Sequence, residues 1–441
     1  MDKLGLGCPF SFLGGKQQES SGGPSFLDLN YEIYLEIFSS LSSLEDQLNL
    51  GRAHPLFRNV LADFLRTRYK KINVRILKTI PDWEFLLQLC GSEVSRCDVP
   101  HGRWDEPFTY PFLDLLGRHC PNLRQAVIIF MHADTDTPPE TGDRGHIMQQ
   151  LLELPSLTDL TLIDPRSAQL DQLRHFTKLQ ILDLDGIDRN LSDHAFQQMF
   201  ENKISVNRLL LNFGRDHRRS RQMAQLADKF PNLEHLTLEN FDVNFTELGE
   251  FKTLQSLRLI SRWKVEVCNE FYRSVGRRIE NLQKLQLISV RVRGDQVHHF
   301  LAISQLRALD CDNWPAQSVE QLGQLTDLEC LALDCIGSTS NAGRQLLSLI
   351  RNCYKLNHLK LGKHWQMPIN DVNTFLTKVP DLRSDPKSKL LLTFDFISIP
   401  DTQEELENLF RDHEHLRVSF KGTTCHHCQP DTHSKCDTIF D

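Results

Sequence analysis

Residues 154–163 read LPSLTDLTLI and place leucine at 157, 160 and 162, the spacing LxxLxL. The same unit returns at Leu179/Leu182/Leu184, Leu233/Leu236/Leu238, Leu254/Leu257/Leu259, Leu282/Leu285/Leu287, Leu328/Leu331/Leu333 and Leu356/Leu359/Leu361. Looser copies are Leu123/Ala126/Ile128, Val206/Leu209/Leu211, Leu306/Leu309/Cys311 and Leu391/Phe394/Phe396. First positions lie 21 to 35 residues apart with a mean near 27, within the roughly 20–29 residues of a leucine-rich repeat. Weaker candidates flank the array at Tyr69/Ile72/Val74, at Val94/Cys97/Val99 and near Val418/Phe420. The period-2 alternation inside each unit predicts a short strand with leucines on one face.

Between the strands the apolar residues follow a helical period, as in Phe196, Met199 and Phe200; Met223, Leu226 and Phe230; Leu346, Leu347 and Ile350; and Phe375, Leu376 and Val379. One strand and one helix cannot bury their apolar sides alone, whereas stacked copies form a continuous core. The expected fold is therefore α/β: a curved solenoid of about 11–14 strand-helix repeats over residues 69–420, with a parallel sheet on its concave face. Prolines before the first leucine (CPNL at 120–123, LPSL at 154–157, FPNL at 230–233) end the preceding helix. Two long steps hold insertions, Ala133–Gly145 and Arg383–Lys389, expected to be surface loops.

The chain has 441 residues, 58 acidic against 50 basic side chains and a net charge of −8. That balance argues against a whole-protein electrostatic grip on nucleic acid. No 18-residue apolar run occurs, and residues 1–25, rich in Gly and Ser, lack the apolar core of a signal peptide. The expectation is an intracellular protein, cytoplasmic or nuclear, with a flexible leader over 1–25, no membrane partner, and its 12 cysteines as free thiols. No Gly-rich phosphate loop, HExxH pair or GxSxG elbow is present. The expectation is a non-catalytic protein without a resident cofactor.

One chemical constellation stands out at the end of the chain. Cys425, Cys428, His433 and Cys436, within the tail 421–441, offer four soft ligands in twelve residues. They resemble a zinc knuckle, although the last gap is two residues and the knuckle's glycine is missing. Zinc site and unstructured tail both stay open.

Alternation along the repeat sends positions 3, 5 and 7 to the concave face. There the array presents Arg208, His235, Arg258 and Lys284, with Ile163, Ile260 and Ile288 beside them. Asp183 and Asp185 come before this basic centre, and Asp310, Asp312 and Asp334 after it. A mixed-charge solvated surface and a protein-binding site remain the two readings; Arg208, His235, Arg258, Lys284, Ile260 and Ile288 are the candidate substrate contacts. The loop Gly214–Arg221 (GRDHRRSR) is locally basic and keeps a nucleic-acid-binding adaptor as an alternative.

Residues 26–68 differ in character. Leu29, Ile33, Ile37 and Leu41 recur every four residues, with Asn30 suited to cap that helix. Ser42-Ser43-Leu44-Glu45 has the capping-box pattern and opens a second helix expected to stop at Gly51. After His54-Pro55, the residues Leu56, Phe57, Val60, Leu61, Phe64 and Leu65 give a third apolar stripe. So small a unit is expected to lean on a neighbour or a partner.

The stretch 27–64 resembles an F-box, the three-helix module that docks a substrate receptor onto the adaptor of the SCF (cullin-RING) ubiquitin ligase. The resemblance rests on Leu29, Glu32-Ile33, Ile37-Phe38, Leu41, Asp46, Leu48 and Phe57-Arg58, with Asn30 in place of the family's proline. With the repeats, it covers nearly the whole chain beyond residue 26. The repeats depart from the usual Asn or Cys at position 9, where Phe241, Arg262, Val290, Trp314 and Ile336 stand. The resemblance implies adaptor contact through Leu29, Ile33, Ile37 and Leu41, a cullin reached through the adaptor, and a protein substrate held on the concave face for ubiquitylation and proteasomal degradation. A leucine-rich-repeat scaffold acting outside the ligase is the alternative, with 29–65 as an N-terminal cap.

Overall fold

The computed structural model describes residues 26–99, 106–130, 146–187, 191–214, 223, 225–241, 248–334, 341–362, 369–382, 390–394, 408 and 416–419. It divides between Arg68 and Tyr69 into two compact units. The leader, both long insertions, Arg215–Arg221 and the Cys/His tail lie outside the described residues.

In the first unit, helix α1 (Tyr31–Ser40) starts where the Asn30 side chain accepts the Ile33 N–H at 2.9 Å. Its last carbonyls are met by a buried glutamine, since Gln47 Nε2 donates to the carbonyls of Phe38 (3.1 Å) and Leu41 (2.8 Å). Helix α2 (Leu44–Ala53) is capped by Ser43, one residue later than the capping-box pattern places the start. It also runs through Gly51 instead of stopping there. The reason is packing: Gly51 is buried, and a Cβ there would strike the Leu61 side chain, so the glycine allows a close approach to helix α3 (Pro55–Arg68). Pro55 at the first helical position has the required φ and no N–H to leave unpaired. Tyr34 and Phe38 are the buried positions of α1, with ring contacts of 5.5 Å to Phe57 and 6.1 Å to Phe64.

The second unit is built on a parallel sheet in which the described residues form fourteen strands, paired strictly in chain order. They are β1 (Lys71–Asn73), β2 (Arg96–Val99), β3 (Gln125–Ile129), β4 (Asp159–Ile163), β5 (Ile181–Asp185), β6 (Arg208–Asn212) and β7 (His235–Glu239). Then follow β8 (Ser256–Glu266), β9 (Lys284–Arg291), β10 (Ala308–Asn313), β11 (Cys330–Leu333), β12 (His358–Leu361), β13 (Leu390–Phe394) and β14 (Leu416–Ser419). The central leucines of the motif stand in register: Leu160, Leu182, Leu209, Leu236, Leu257, Leu285, Leu309, Leu331 and Leu359 form one buried row. This is a leucine-rich-repeat solenoid, a curved α/β stack with one face of the sheet closed by core and the other open.

The entries of β2–β12 repeat one hydrogen-bond device. The carbonyl of Asn207 accepts from both Glu234 N (2.8 Å) and His235 N (2.9 Å), that of Glu234 from Gln255 N and Ser256 N, and that of Gln255 from Gln283 N and Lys284 N. Strands β4, β5 and β7 are followed by a residue of positive φ, Asp164 (51°), Gly186 (73°) and Asn240 (53°), and β9 contains one at the same repeat position, Ser289 (57°). The left-handed residue turns the chain inward, so the next position becomes core: Ile187, Phe241 and Val290 are buried, as is Trp314 after β10. That accounts for Phe241 and Val290 at position 9; Ile336 lies outside the described residues. Arg262 is exposed because β8 continues past that point.

Three expectations need correction. The connections are not uniformly helical: 225–229, Leu248–Glu250, Ala316–Ser318 and Glu320–Gln324 are 3₁₀ turns, whereas Ala342–Asn352 and Ile369–Lys378 are α-helices. The connections that follow β7 and β10 are among the shortest, which favours the tighter 3₁₀ turn there. The copy written Leu391/Phe394/Phe396 is offset by two, since Leu392 pairs with Leu359 and Leu391 faces outward. Finally, Cys90, Cys97, Cys120, Cys268, Cys311 and Cys353 are free, but Cys330 is disulfide-bonded.

Candidate functional site

Helix α1 is apolar on two adjoining faces. Tyr34 and Phe38 point inward, and Ile33 and Ile37, one residue earlier, are rotated by about 100° from them; Leu29 and Leu41, expected on the same helical stripe, lie just outside the helix, Leu41 in extended backbone at its C-cap. Ile33 is 39% exposed and the other three are half-buried. Phe26, at 50% exposure, Leu27 and Tyr31 extend the same uncovered surface at the N-terminal end of the helix. The patch is held in place rather than loose: the Tyr31 hydroxyl donates to Asp63 Oδ2 at 2.5 Å, and the Tyr34 hydroxyl to the Phe26 carbonyl at 2.7 Å. Partial burial and the neighbouring Asp63 carboxylate push the Tyr31 phenol up to about 12, so it stays protonated across the physiological range.

On the open face of the solenoid the candidate residues occupy three transverse rows. Arg208 pairs in register with His235, His235 with Ser256, and Ser256 with Lys284. Arg258 lies two residues along, between Thr237 and Gln286. Ile260 lies in the third row between Glu239 and Ile288. The structure thus gathers all six on β6–β9, half-buried, but splits the cations between two rows. At about 4.8 Å per strand they cover roughly 14 Å across the sheet.

Carboxylates bound this band on both sides, and they are not ordinary surface groups as the alternation implies. Burial, with Asp185 and Glu239 nearby, raises Asp183 to about 8, leaving it largely protonated at neutral pH. Its Oδ1 is sealed from water without a hydrogen-bond partner. Asp185 is also raised, by burial and by Asp164, although it accepts from Asn212 Nδ2 at 2.7 Å. Asn240 Nδ2 in turn donates to Asn212 Oδ1 at 2.8 Å, so an amide chain runs along the strand ends from β5 to β7. Across the band, burial raises Asp310, which accepts from Gln286 Nε2 at 2.7 Å. Asp312 accepts the Ser289 N–H at 2.6 Å.

The open face also brings together a cysteine and a histidine: Cys330 Sγ lies 3.6 Å from His358 Nδ1, and His358 Nε2 3.2 Å from Thr393 Oγ1. The chain looks like a nucleophile relay, but the sulfur is committed to a disulfide and His358 is buried with its pKa lowered. Among the described residues no group of three or more His, Cys, Asp or Glu is placed to hold a metal ion. Nor is any described helix long and apolar enough to cross a membrane. What the arrangement offers is recognition: an apolar patch on one unit, and on the other a bounded cationic band.

Sequence reasoning missed one feature of the band, an outward bulge in β8 that carries Trp263. The available signal was the arginine-tryptophan-lysine run directly after an LxxLxL unit, where the other repeats turn inward.

No protein-family model matches the chain, and no curated protein does. Solved structures similar to it include TLR13 in its complex with ssRNA13, at 15% identity and a TM-score of 0.40 over 79% of this chain and 64% of that one. Another is a leucine-rich-repeat protein of Leptospira interrogans, at 16% identity and a TM-score of 0.28 over 70% of this chain and 92% of that one. The chain spans less than two thirds of the length of the TLR13 chain.

Proposed function

We propose that this chain is the non-catalytic substrate-recognition subunit of an SCF-type ubiquitin ligase. Residues 26–68 dock the adaptor through Leu29, Ile33, Ile37 and Leu41, and the adaptor links the chain to a cullin. The open face of the solenoid holds a protein substrate around Arg208, His235, Arg258, Lys284, Ile260 and Ile288. The chain makes and breaks no bond itself. It raises the concentration of substrate lysine near a ubiquitin-conjugating enzyme into roughly the millimolar range.

The observation that supports this reading is the second apolar face of α1, Ile33 and Ile37, which with the flanking Leu29 and Leu41 is left outside the buried core. Each such side chain, once fully covered by a partner, contributes roughly 1.5–3 kcal/mol. A cap for the solenoid has no need of that surface. Co-purification of the full chain tests the proposal: wild type carries adaptor and cullin, and Leu29→Ala with Ile37→Ala loses both while keeping its thermal midpoint, because neither residue is among the buried positions of the unit. Retention by the double variant sinks the docking model and leaves a leucine-rich-repeat scaffold acting outside the ligase.

A further inference from the structure

Strand β8 is 11 residues long, and β7 beside it only 5. Its pairing with β9 jumps from Ile260↔Ile288 to Val265↔Val290, so Ser261–Lys264 stand opposite the single residue Ser289. Three hydrogen bonds fix this bulge. The Arg262 N–H donates to Asn240 Oδ1 at 3.2 Å, the Trp263 N–H to Ser261 Oγ at 3.3 Å, and the Ser289 N–H to Asp312 Oδ2 at 2.6 Å. The bulge is therefore a built projection with defined geometry.

At its tip Trp263 is 78% exposed, the most exposed large hydrophobic side chain among the described residues. Arg262 and Lys264, also exposed, flank it; the Arg262 charge acts on Asp185, lowering the pKa that burial raises. Glu266, at the end of the same strand, is met by Arg291 at 3.3 Å and Arg293 at 3.9 Å. Scattered exposed apolar residues are ordinary on a protein surface, but a tryptophan held outward between two cations on a hydrogen-bonded bulge is not. Tryptophan and arginine are also the side chains most enriched at the energetic centres of interfaces.

We infer that the 261–264 bulge anchors a short acidic stretch of a partner polypeptide, with Trp263 covering an apolar or aromatic side chain of that stretch. Arg262 and Lys264 take the carboxylate or phosphate groups beside it, and Arg258 and Lys284 lie further down the same open face, in the second and first rows. The inference rests on the substrate-receptor reading and names the class of substrate segment. Length follows from the charge boundaries: on β6–β9 the first two rows hold Arg208, Arg258 and Lys284, with Glu239 the one acidic side chain of the third row, while Asp185 lies on β5 and Asp312 on β10. Roughly 14 Å of cationic band matches about four or five extended residues. A polynucleotide, charged at every residue, would run past the band onto Asp185 on one side and Asp312 on the other; a polypeptide can confine its charge to the band.

The test is selection of a random dodecapeptide phage library on the immobilised full chain, followed by anisotropy titration of the enriched peptides in labelled form. Enriched sequences should concentrate net negative charge within about five residues next to an apolar side chain. Trp263→Ala should weaken them at least about tenfold, Arg262→Ser with Lys264→Ser should do the same, and neither variant should lower the thermal midpoint. Glutamate and phosphoserine versions of each peptide distinguish carboxylate from phosphate recognition. Neutral or basic enriched sequences, no enrichment over bare support, or unchanged affinity in Trp263→Ala would each overturn the inference. So would a labelled 12-nucleotide oligouridine that binds more tightly than every peptide. Adaptor retention by Trp263→Ala separates the two readings: peptide binding lost with adaptor kept supports the bulge alone, and peptide binding kept in a wild type that carries no adaptor overturns the ligase reading alone.

Discussion

Replacing Asp183 by Asn should stabilise the solenoid at pH 8 and change little at pH 4.5. The folded-state pKa of this carboxyl is raised from 3.8 to about 8 by burial and by Asp185 and Glu239. The folded chain therefore holds a proton that the unfolded chain releases between those two values. The stability linked to Asp183 is fully present below pH 3.8, declines as pH rises, and is gone above about 8. At about 1.4 kcal/mol per unit the shift sets a ceiling near 6 kcal/mol. Because the side chain is only partly enclosed by area, with Oδ1 the sealed atom, water and local relaxation reduce this to about 1–3 kcal/mol. Asparagine has nearly the same shape and no charge, so it removes the penalty without opening a cavity. Urea midpoints of wild type and Asp183→Asn at pH 4.5, 6 and 8 give the answer, since titrating groups other than the coupled Asp185 and Glu239 contribute equally to both proteins. The gain should grow steadily with pH, and Glu239→Gln should recover part of it. A gain that is the same at pH 4.5 and pH 8, or a loss at pH 8, would refute the argument.

Two further outcomes follow from buried contacts. Gly51→Ala should destabilise the helical unit by about 1–3 kcal/mol, because the new methyl meets Leu61 and the helix-propensity gain of about 1 kcal/mol does not offset it; unchanged hydrogen-exchange protection in α2 and α3 would contradict this. Lys203, buried and donating to the carbonyls of Leu173 (2.8 Å) and Glu201 (3.0 Å), has its pKa lowered by burial from 10.5 to about 8. Between those values the unfolded chain holds the extra proton, so stability from this residue rises with pH. The urea midpoint of wild type should therefore gain on Lys203→Met between pH 7.5 and 9.5, and a constant difference would exclude the linkage.

The sheet was legible because the leucines that write LxxLxL are the ones that must meet in register, and spacing alone identifies them. Where two registers were equally apolar the reading slipped: Leu390, Leu391 and Leu392 offer leucine to either face, and only pairing with β12 decides which is inside. Asn30 was readable as a cap because its chemistry is local, whereas the passage of α2 through Gly51 depends on Leu61, which no local pattern reveals. The six substrate candidates could be assigned to the open face by alternation. That Asp183 is enclosed, and that β8 bulges outward under Trp263, depend on neighbouring strands many residues away.

The paired amides at the strand entries set a rule of composition. Since the carbonyls of Arg124, Asn207, Glu234 and Gln255 each receive the N–H groups of the second and third positions of the next repeat, proline at either position would remove one of the two hydrogen bonds that join the repeats. Two residues before the first leucine no such bond is required, and Pro121, Pro155 and Pro231 stand there. Proline thus works as punctuation: it marks where one coil of the stack has closed and forbids itself where the next is being stitched on, so that a repeat boundary can be located by the residue excluded from it as surely as by the leucines it contains.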